Sequence, residues 1–151
     1  MTRSHNEGKR REAKPEVDAY LQHLADSLKS GYAKLRFQAT RIVDDQRDER
    51  FTNRFTVADL FPDEDPVDAL KRELLTLTAE NYIETVKDTK FPHRTEMRVF
   101  GKKYSADVYI KIRVELMRND MTGDVHSLFV MSFHYAEYPF DAANFPYRKN
   151  G

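Results

Sequence analysis

In the stretch "SADVYIKIRVELM", Tyr109, Lys111, Arg113 and Glu115 fall on one parity and Val108, Ile110, Ile112 and Val114 on the other. A strand with that alternation buries its apolar side and lines up a phenol, an ammonium and a guanidinium on its open side. Further on, "LFVMSFHY" sets Leu128, Val130, Ser132 and His134 on one parity against Phe129, Met131 and Phe133, which read as core. If the two strands are neighbours, Tyr109, Lys111, Arg113, Ser132 and His134 share one surface, with Lys102 and Lys103 at a hairpin rim. Such a mixture suits RNA, whose backbone is bound by cations and whose bases stack on aromatic rings. Cutting a ribose phosphodiester needs a base for the 2′-OH, an acid for the 5′-oxygen, and cations for the pentavalent phosphorane, with no metal required. His134 is the only imidazole of the group, and an unperturbed pKa near ~6.5 suits acid or base work at neutral pH. Lys111 and Arg113 would stabilise developing charge, and Tyr109 could stack on a base or donate a proton. Glu137, three residues beyond His134, could orient the imidazole or act as a base, or be a rim carboxylate beside Pro139. The competing account of the same alternation is an ordinary solvated ladder of Tyr, Lys, Arg and Glu with cross-strand charge pairs.

Composition narrows the setting. At 151 residues, 40% hydrophobic and 33% charged, the chain can bury one core but hardly two. Its 25 basic and 25 acidic residues cancel, so a nucleic-acid partner would have to be met by local charge. The absence of cysteine removes disulfides, thiolate zinc sites and cysteine nucleophiles. No apolar run approaches the ~20 residues of a membrane span, and "MTRSHNEGKRREAKP" lacks the apolar region of a secretory signal, so the expectation is a cytoplasmic protein with no membrane partner. His23 and His93 are scattered, with no HExxH or comparable ligand spacing, and no metal site or cofactor is expected. There is no Gly-rich phosphate loop and no GxSxG signature.

The elements that must position these residues read as follows. Residues 1–14, with Arg3, Lys9, Arg10, Arg11 and Lys14, hold nothing large to bury and suggest a flexible basic arm; residues 15–151 form one domain. Val17, Tyr20, Leu21, Leu24 and Leu28 make the stripe of an amphipathic helix from about Pro15 to Ser30, closed at Gly31. "YAKLRFQATRIV" alternates like a half-buried strand, "DDQRDERFTN" is a charged loop, and "TVAD" (Thr56 to Asp59) resembles the cap of a short helical turn. Asp65 and Pro66 open a longer helix with Val67, Leu70, Leu74 and Leu77 as its stripe, and Thr78 with Glu80 suggests another short helix over "AENYIETV". From Lys87 the period shifts towards two, with "TEMRVFG", "DVYIKIRVELM" and "HSLFVMSFHY" as an antiparallel meander joined by "GKKYS" and "RNDMTGD". Helices first and strands later make the class α+β, with N-terminal helices packed on a small antiparallel sheet. Tyr138, Phe140, Phe145 and Tyr147 are expected to seal the lower edge of that sheet.

Taken in order, "LLTLTAENYIETV", "VFGKKYSADVYIKIRVEL", "LFVMSFHYAEYPF" and "FPYR" resemble the toxins of the motility quorum-sensing regulator (MqsR) family, and "FTNRFTVADLF" with "DPVDALKREL" is similar to that family's segment before the sheet. The resemblance spans roughly Pro15 to Arg148. It implies a RelE-like fold and a metal-independent mRNA endonuclease, the toxin of a type II toxin-antitoxin system, with a cognate antitoxin and possible contact with the ribosome. Tyr109 in "VYIK" matches the family's catalytic-site tyrosine, and Lys111 follows in the same motif. The best-known branch reads Ser-Phe-Lys where this chain has Ser132, Phe133 and His134. It also carries a lysine after an aromatic pair in its second helix, where this chain has Ile83 and Glu84, with Lys87 three residues on as a supporting cation.

Two readings therefore stand side by side: an endoribonuclease with Tyr109, Lys111 and His134 as catalytic residues, and a non-catalytic RNA- or protein-binding module on the same scaffold. In both, Lys87, Lys102, Lys103, Arg113, Ser132 and Glu137 are candidates for binding or support.

Overall fold

Pro15, which has no N–H to leave unpaired, sits in the first turn of α1 (Lys14–Ser30), and Gly31 at φ 82° ends that helix in the left-handed conformation. The computed structural model describes residues 7–31, 33–41, 44, 46–88, 91–117 and 125–149. Asp65 accepts from the Asp68 N–H at 3.1 Å and, with Pro66, opens α3 (Pro66–Leu74), as its sequence suggests. Between them lies α2 (Asn53–Leu60), whose cap is Thr52, accepting from the Phe55 N–H at 3.2 Å. The expected cap at Thr56 is therefore displaced by four residues towards the N-terminus. Thr56 is buried in mid-helix, and its hydroxyl accepts from the Tyr135 N–H at 2.9 Å instead.

The strands are β1 (Glu7–Arg10), β2 (Ala33–Phe37), β3 (Tyr82–Asp88), β4 (Met97–Lys103), β5 (Asp107–Met117) and β6 (Val125–Tyr135). They form one six-stranded sheet in the order β1-β3-β4-β5-β6-β2. Every neighbouring pair is antiparallel except β2 with β6. Among the described residues the fold is thus mixed α and β, three α-helices and a mostly antiparallel sheet, with the expected meander β4-β5-β6 at its centre. The "RNDMTGD" turn between β5 and β6 and the first six residues of the expected arm lie outside the described residues. No helix among the described residues is long and apolar enough to cross a membrane.

Two expectations need correction. "AENYIETV" is not a helix: the box in which Thr78 and Asn81 cap each other supports one 3-10 turn, Ala79–Asn81, and β3 follows at once. Tyr82, Ile83, Thr85 and Val86 are all buried, so both faces of β3 are covered and the period-two signal is erased, while their β-branched and aromatic side chains favour the extended chain. The arm is not flexible over residues 7–14. β1 pairs with β3 from Glu7↔Asp88 to Arg10↔Thr85, and Glu12, 3% exposed, takes hydrogen bonds from Arg10 at 3.2 Å and Arg98 at 2.8 Å. Arg11 donates to the carbonyls of Ile83 (3.2 Å), Ala143 (2.7 Å) and Asn144 (3.3 Å), and so ties the C-terminal segment to the sheet.

Each sheet face has its own apolar cluster. Towards the helices, Val17, Leu24, Val57, Leu70 and Leu74 meet Phe100, Ile110, Ile112, Val130 and Phe133. On the other face Ile83, Val86, Met97, Val99 and Phe145 form a smaller cluster, against which Tyr109, Met131 and Phe140 pack. Gly101 makes that second cluster possible, because a Cβ there would lie 2.7 Å from Phe140 and 2.9 Å from Phe145. Of the aromatics expected to seal the sheet, Phe140, Phe145 and Tyr147 do pack, while Tyr138 is 80% exposed.

β2 leaves β6 after the pair Phe37↔Val130, and α2 takes its place. The Asn53 amide, 1% exposed, donates to the carbonyls of Gln38 at 2.7 Å and Met131 at 3.0 Å and accepts from the Phe133 N–H at 3.0 Å. Replacing Asn53 by Ala leaves the buried Phe133 N–H and the carbonyl of half-buried Met131 without this partner, at about 1–3 kcal/mol each, and removes the bond to the more exposed Gln38 carbonyl. The expected result is a loss of about 3 kcal/mol in urea unfolding for Asn53→Ala; an unchanged midpoint and slope would show that the bridge is dispensable.

Candidate functional site

The position of His134 depends on an irregularity in β6. Ile110 pairs with Phe133 and Lys111 with Ser132, but the next residue, Ile112, pairs with Val130, leaving Met131 as an extra residue on β6. The bulge reverses the parity of the strand. Before it Leu128 and Val130 face the helices; after it Phe133 and Tyr135 do so. Ser132 and His134 are thereby carried to the opposite face, where they stand beside Lys111 and Tyr109. Phe129 and Met131, expected in the main core, are only half-buried; Met131 joins the smaller cluster and Phe129 lies under Arg113. Leu128 and Val130, expected to share a face with His134, are core.

Tyr109, Lys111, Ser132, His134 and Glu137 line one cavity of about 490 Å³, within the ordinary range for a ligand site. The loop between β2 and α2 brings in Arg41 and Arg47, and the segment after β6 contributes Tyr138, Phe140 and Asn144. Neither arginine was singled out by sequence, because a loop carries no hydrophobic periodicity. The only signal was the charge density of "RIVDDQRDER". Arg41 Nη1 donates to Ser132 Oγ at 3.2 Å, and Arg47 Nε lies 3.4 Å from Glu137 Oε1.

Not every expected residue arrives. Arg113 is 6% exposed, with its guanidinium 5.2 Å from the Phe129 ring centroid. Its Nε is 3.3 Å from Glu115 Oε1, within ion-pair reach but without the alignment of a hydrogen bond. Lys102 lies on the helix side, where its ammonium donates to Thr76 Oγ1 at 2.5 Å and sits 3.9 Å from Glu73. Lys103 ends β4 opposite Asp107, and Lys87 is an exposed residue of β3 opposite Gly8. None of these four lines the cavity. Among the described residues no group of three or more His, Asp or Glu is arranged to hold a metal ion.

The His134 ring lies 5.4 Å from that of Tyr109 at an interplanar angle of 22°, a stacked pair, and Lys111 Nζ lies 6.0 Å from the Tyr109 centroid. His134 Nδ1 is 2.9 Å from the Tyr135 carbonyl oxygen. A carbonyl only accepts, so Nδ1 carries the hydrogen, and in the neutral ring Nε2 keeps the lone pair. Burial pushes the His134 pKa below 6.5, and the charges of Arg47 and Arg41 push it the same way, against the Tyr135 carbonyl and Glu137. The site thus holds a neutral imidazole with an available basic nitrogen beside a phenol and several cations.

The fold disfavours protonated His134, so the stabilisation tied to this group is complete above pH 6.5 and is lost as pH falls through the lower folded-state midpoint. An NMR titration of the His134 ring is expected to show a midpoint below 6.5 that rises in Arg47→Ala. A midpoint at or above 6.5 in the wild type would contradict the burial argument.

Compared with known proteins, the chain matches no family model, no curated protein and no solved structure.

Proposed function

We propose that the protein is an endoribonuclease that cuts single-stranded RNA by attack of the 2′-OH on the neighbouring phosphate, without a metal ion. The observation that carries this reading is the stacked pair of His134 and Tyr109, 5.4 Å apart, in one cavity with Lys111, Arg41 and Arg47. In the reaction His134 Nε2 takes the proton of the 2′-OH, and the 2′-oxygen bonds to phosphorus. The P–O5′ bond then breaks, and the 5′-oxygen leaves with a proton from Tyr109 or Lys111. The products are a 2′,3′-cyclic phosphate and a 5′-hydroxyl. Arg41, Arg47 and Lys111 supply positive charge where the phosphorane gains negative charge. Ser132, held by Arg41, and Glu137, paired with Arg47, orient those cations.

The motifs around Tyr109 and His134 further support assignment to the MqsR-like toxins of RelE-type fold, an mRNA interferase whose partners are mRNA, a cognate antitoxin and the ribosome. The His in place of that family's lysine exchanges a fixed charge for a group able to take up a proton. A second reading, RNA or protein binding without cleavage, draws on the 6% exposure of His134.

Incubating a long unstructured RNA with the purified protein in EDTA, and mapping both product ends, separates the two. Cyclic-phosphate and 5′-hydroxyl ends are expected, with a kcat/KM, which reports the free enzyme, that climbs as pH rises through the depressed His134 midpoint and levels above 6.5. His134→Gln is expected to lose about 10²–10⁴-fold in rate while still unfolding in one cooperative urea transition. Cleavage by His134→Gln at the wild-type rate overturns the role of His134. RNA bound but intact favours the second reading.

A further inference from the structure

We propose that Tyr138 is the stacking platform for an unpaired base of the RNA, next to the phosphate position formed by Arg41, Arg47 and Lys111; this rests on the reading of the cavity as an RNA site. Tyr138 is 80% exposed, against 39% for Leu75 and 51% for Phe91, the other exposed large apolar side chains among the described residues. It is also part of the cavity wall.

The ring is presented by a held segment. Asp107 grips that segment on both sides of Tyr138: its carbonyl accepts from the Ala136 N–H at 2.9 Å and its carboxylate from the Phe140 N–H at 3.0 Å. Pro139 restricts the backbone directly after the tyrosine, and Phe140 is wedged edge-on against Phe145 at 5.5 Å and 89°. With its backbone held, the tyrosine has only its own side-chain torsions to lose when a flat partner settles on the ring.

Tyr109, the other cavity aromatic with a hydroxyl, is already engaged, with His134 stacked on it and the Lys111 ammonium above its ring. The task of holding a base therefore passes from Tyr109 to Tyr138. Every base has a π-face, so this platform accepts any unpaired nucleobase and discriminates single strands from duplex, in which both faces of each base are covered.

The chain contains no tryptophan, so Tyr138→Trp introduces a lone indole at this position. The probe is a single-stranded deoxyoligonucleotide, which cannot be cut because it has no 2′-OH, with binding followed independently by anisotropy of an end label. Saturable quenching of the indole is expected with the single strand and not with a duplex or an abasic strand of the same length. In cleavage assays Tyr138→Ala is expected to raise KM about tenfold at unchanged kcat, and Tyr138→Phe to restore KM. An oligonucleotide that binds without quenching, or an unchanged KM in Tyr138→Ala, overturns the base platform and leaves the nuclease reading intact. A wild-type protein that neither binds nor cuts RNA overturns the cavity reading and the platform together.

Discussion

Asn53 is the residue on which the rest of the site depends. β6 runs five residues beyond its last pair with β2, from Val130 to Tyr135, and along that length no strand among the described residues pairs with its outer edge. One buried amide and one buried hydroxyl stand in for the missing ladder: Asn53 serves Gln38, Met131 and Phe133, and Thr56 serves Tyr135. Buried backbone groups without partners are costly, so an edge of this kind persists only where side chains of fitting geometry replace the strand. Because Asn53 accepts at Phe133 and donates at Met131, it clamps β6 across the bulge that sets the parity of His134. A single amide thus links the start of α2 to the orientation of the imidazole.

The same departure of β2 frees the chain after Phe37 to pass towards the opposite face, bringing Arg41 and Arg47 to the cavity. The other wall comes from the segment after β6, and this is where the N-terminal residues enter. Arg11 fixes the carbonyls of Ala143 and Asn144, while Glu12 is held by Arg10 and Arg98 and its carbonyl accepts from the Tyr147 hydroxyl. Segments far apart in sequence therefore meet to make one wall. Gly101 leaves the space in which Phe140 and Phe145 settle, so the smaller apolar cluster doubles as the floor of the site.

What was legible in the sequence follows from range. α1 and α3 carry local signals in Pro15, Gly31, Asp65 and Pro66, and these act within one helical turn; β5 announces itself by strict alternation, and the structure keeps it. The pairing of Tyr109 with His134 and of Lys111 with Ser132 also follows from the meander. Illegible were features decided by distant partners. "LFVMSF" has apolar residues on both parities, which is what a bulge between two buried faces produces, yet the string cannot say where the parity breaks. β3 hid because both of its faces are covered, and β1 because its own side chains are polar and its place is set by pairing with β3. Arg41 and Arg47 became visible only once the loop had been placed.

A net charge of zero conceals a sorting of charge by location. Several acidic side chains are engaged away from the cavity: Glu12 with Arg10 and Arg98, Glu64 with Arg72, and Glu73 with Tyr104 and Lys102. Among the described residues that line the cavity, Lys111, Arg41 and Arg47 outnumber the one carboxylate, Glu137, and Arg47 also reaches Asp44 at 4.0 Å. A low-dielectric wall beside such an excess concentrates positive potential on the anion that enters, and the same potential resists a second positive charge on His134. The cations that would hold a phosphate are thus also the groups that help keep the imidazole neutral. In the proposed reaction an entering phosphate would offset those charges and make protonation of His134 easier as the 2′-OH gives up its proton. Under that proposal substrate charge and base strength would be coupled through Arg41 and Arg47: the nitrogen whose affinity for protons the cations lower would gain affinity once a phosphate offset them.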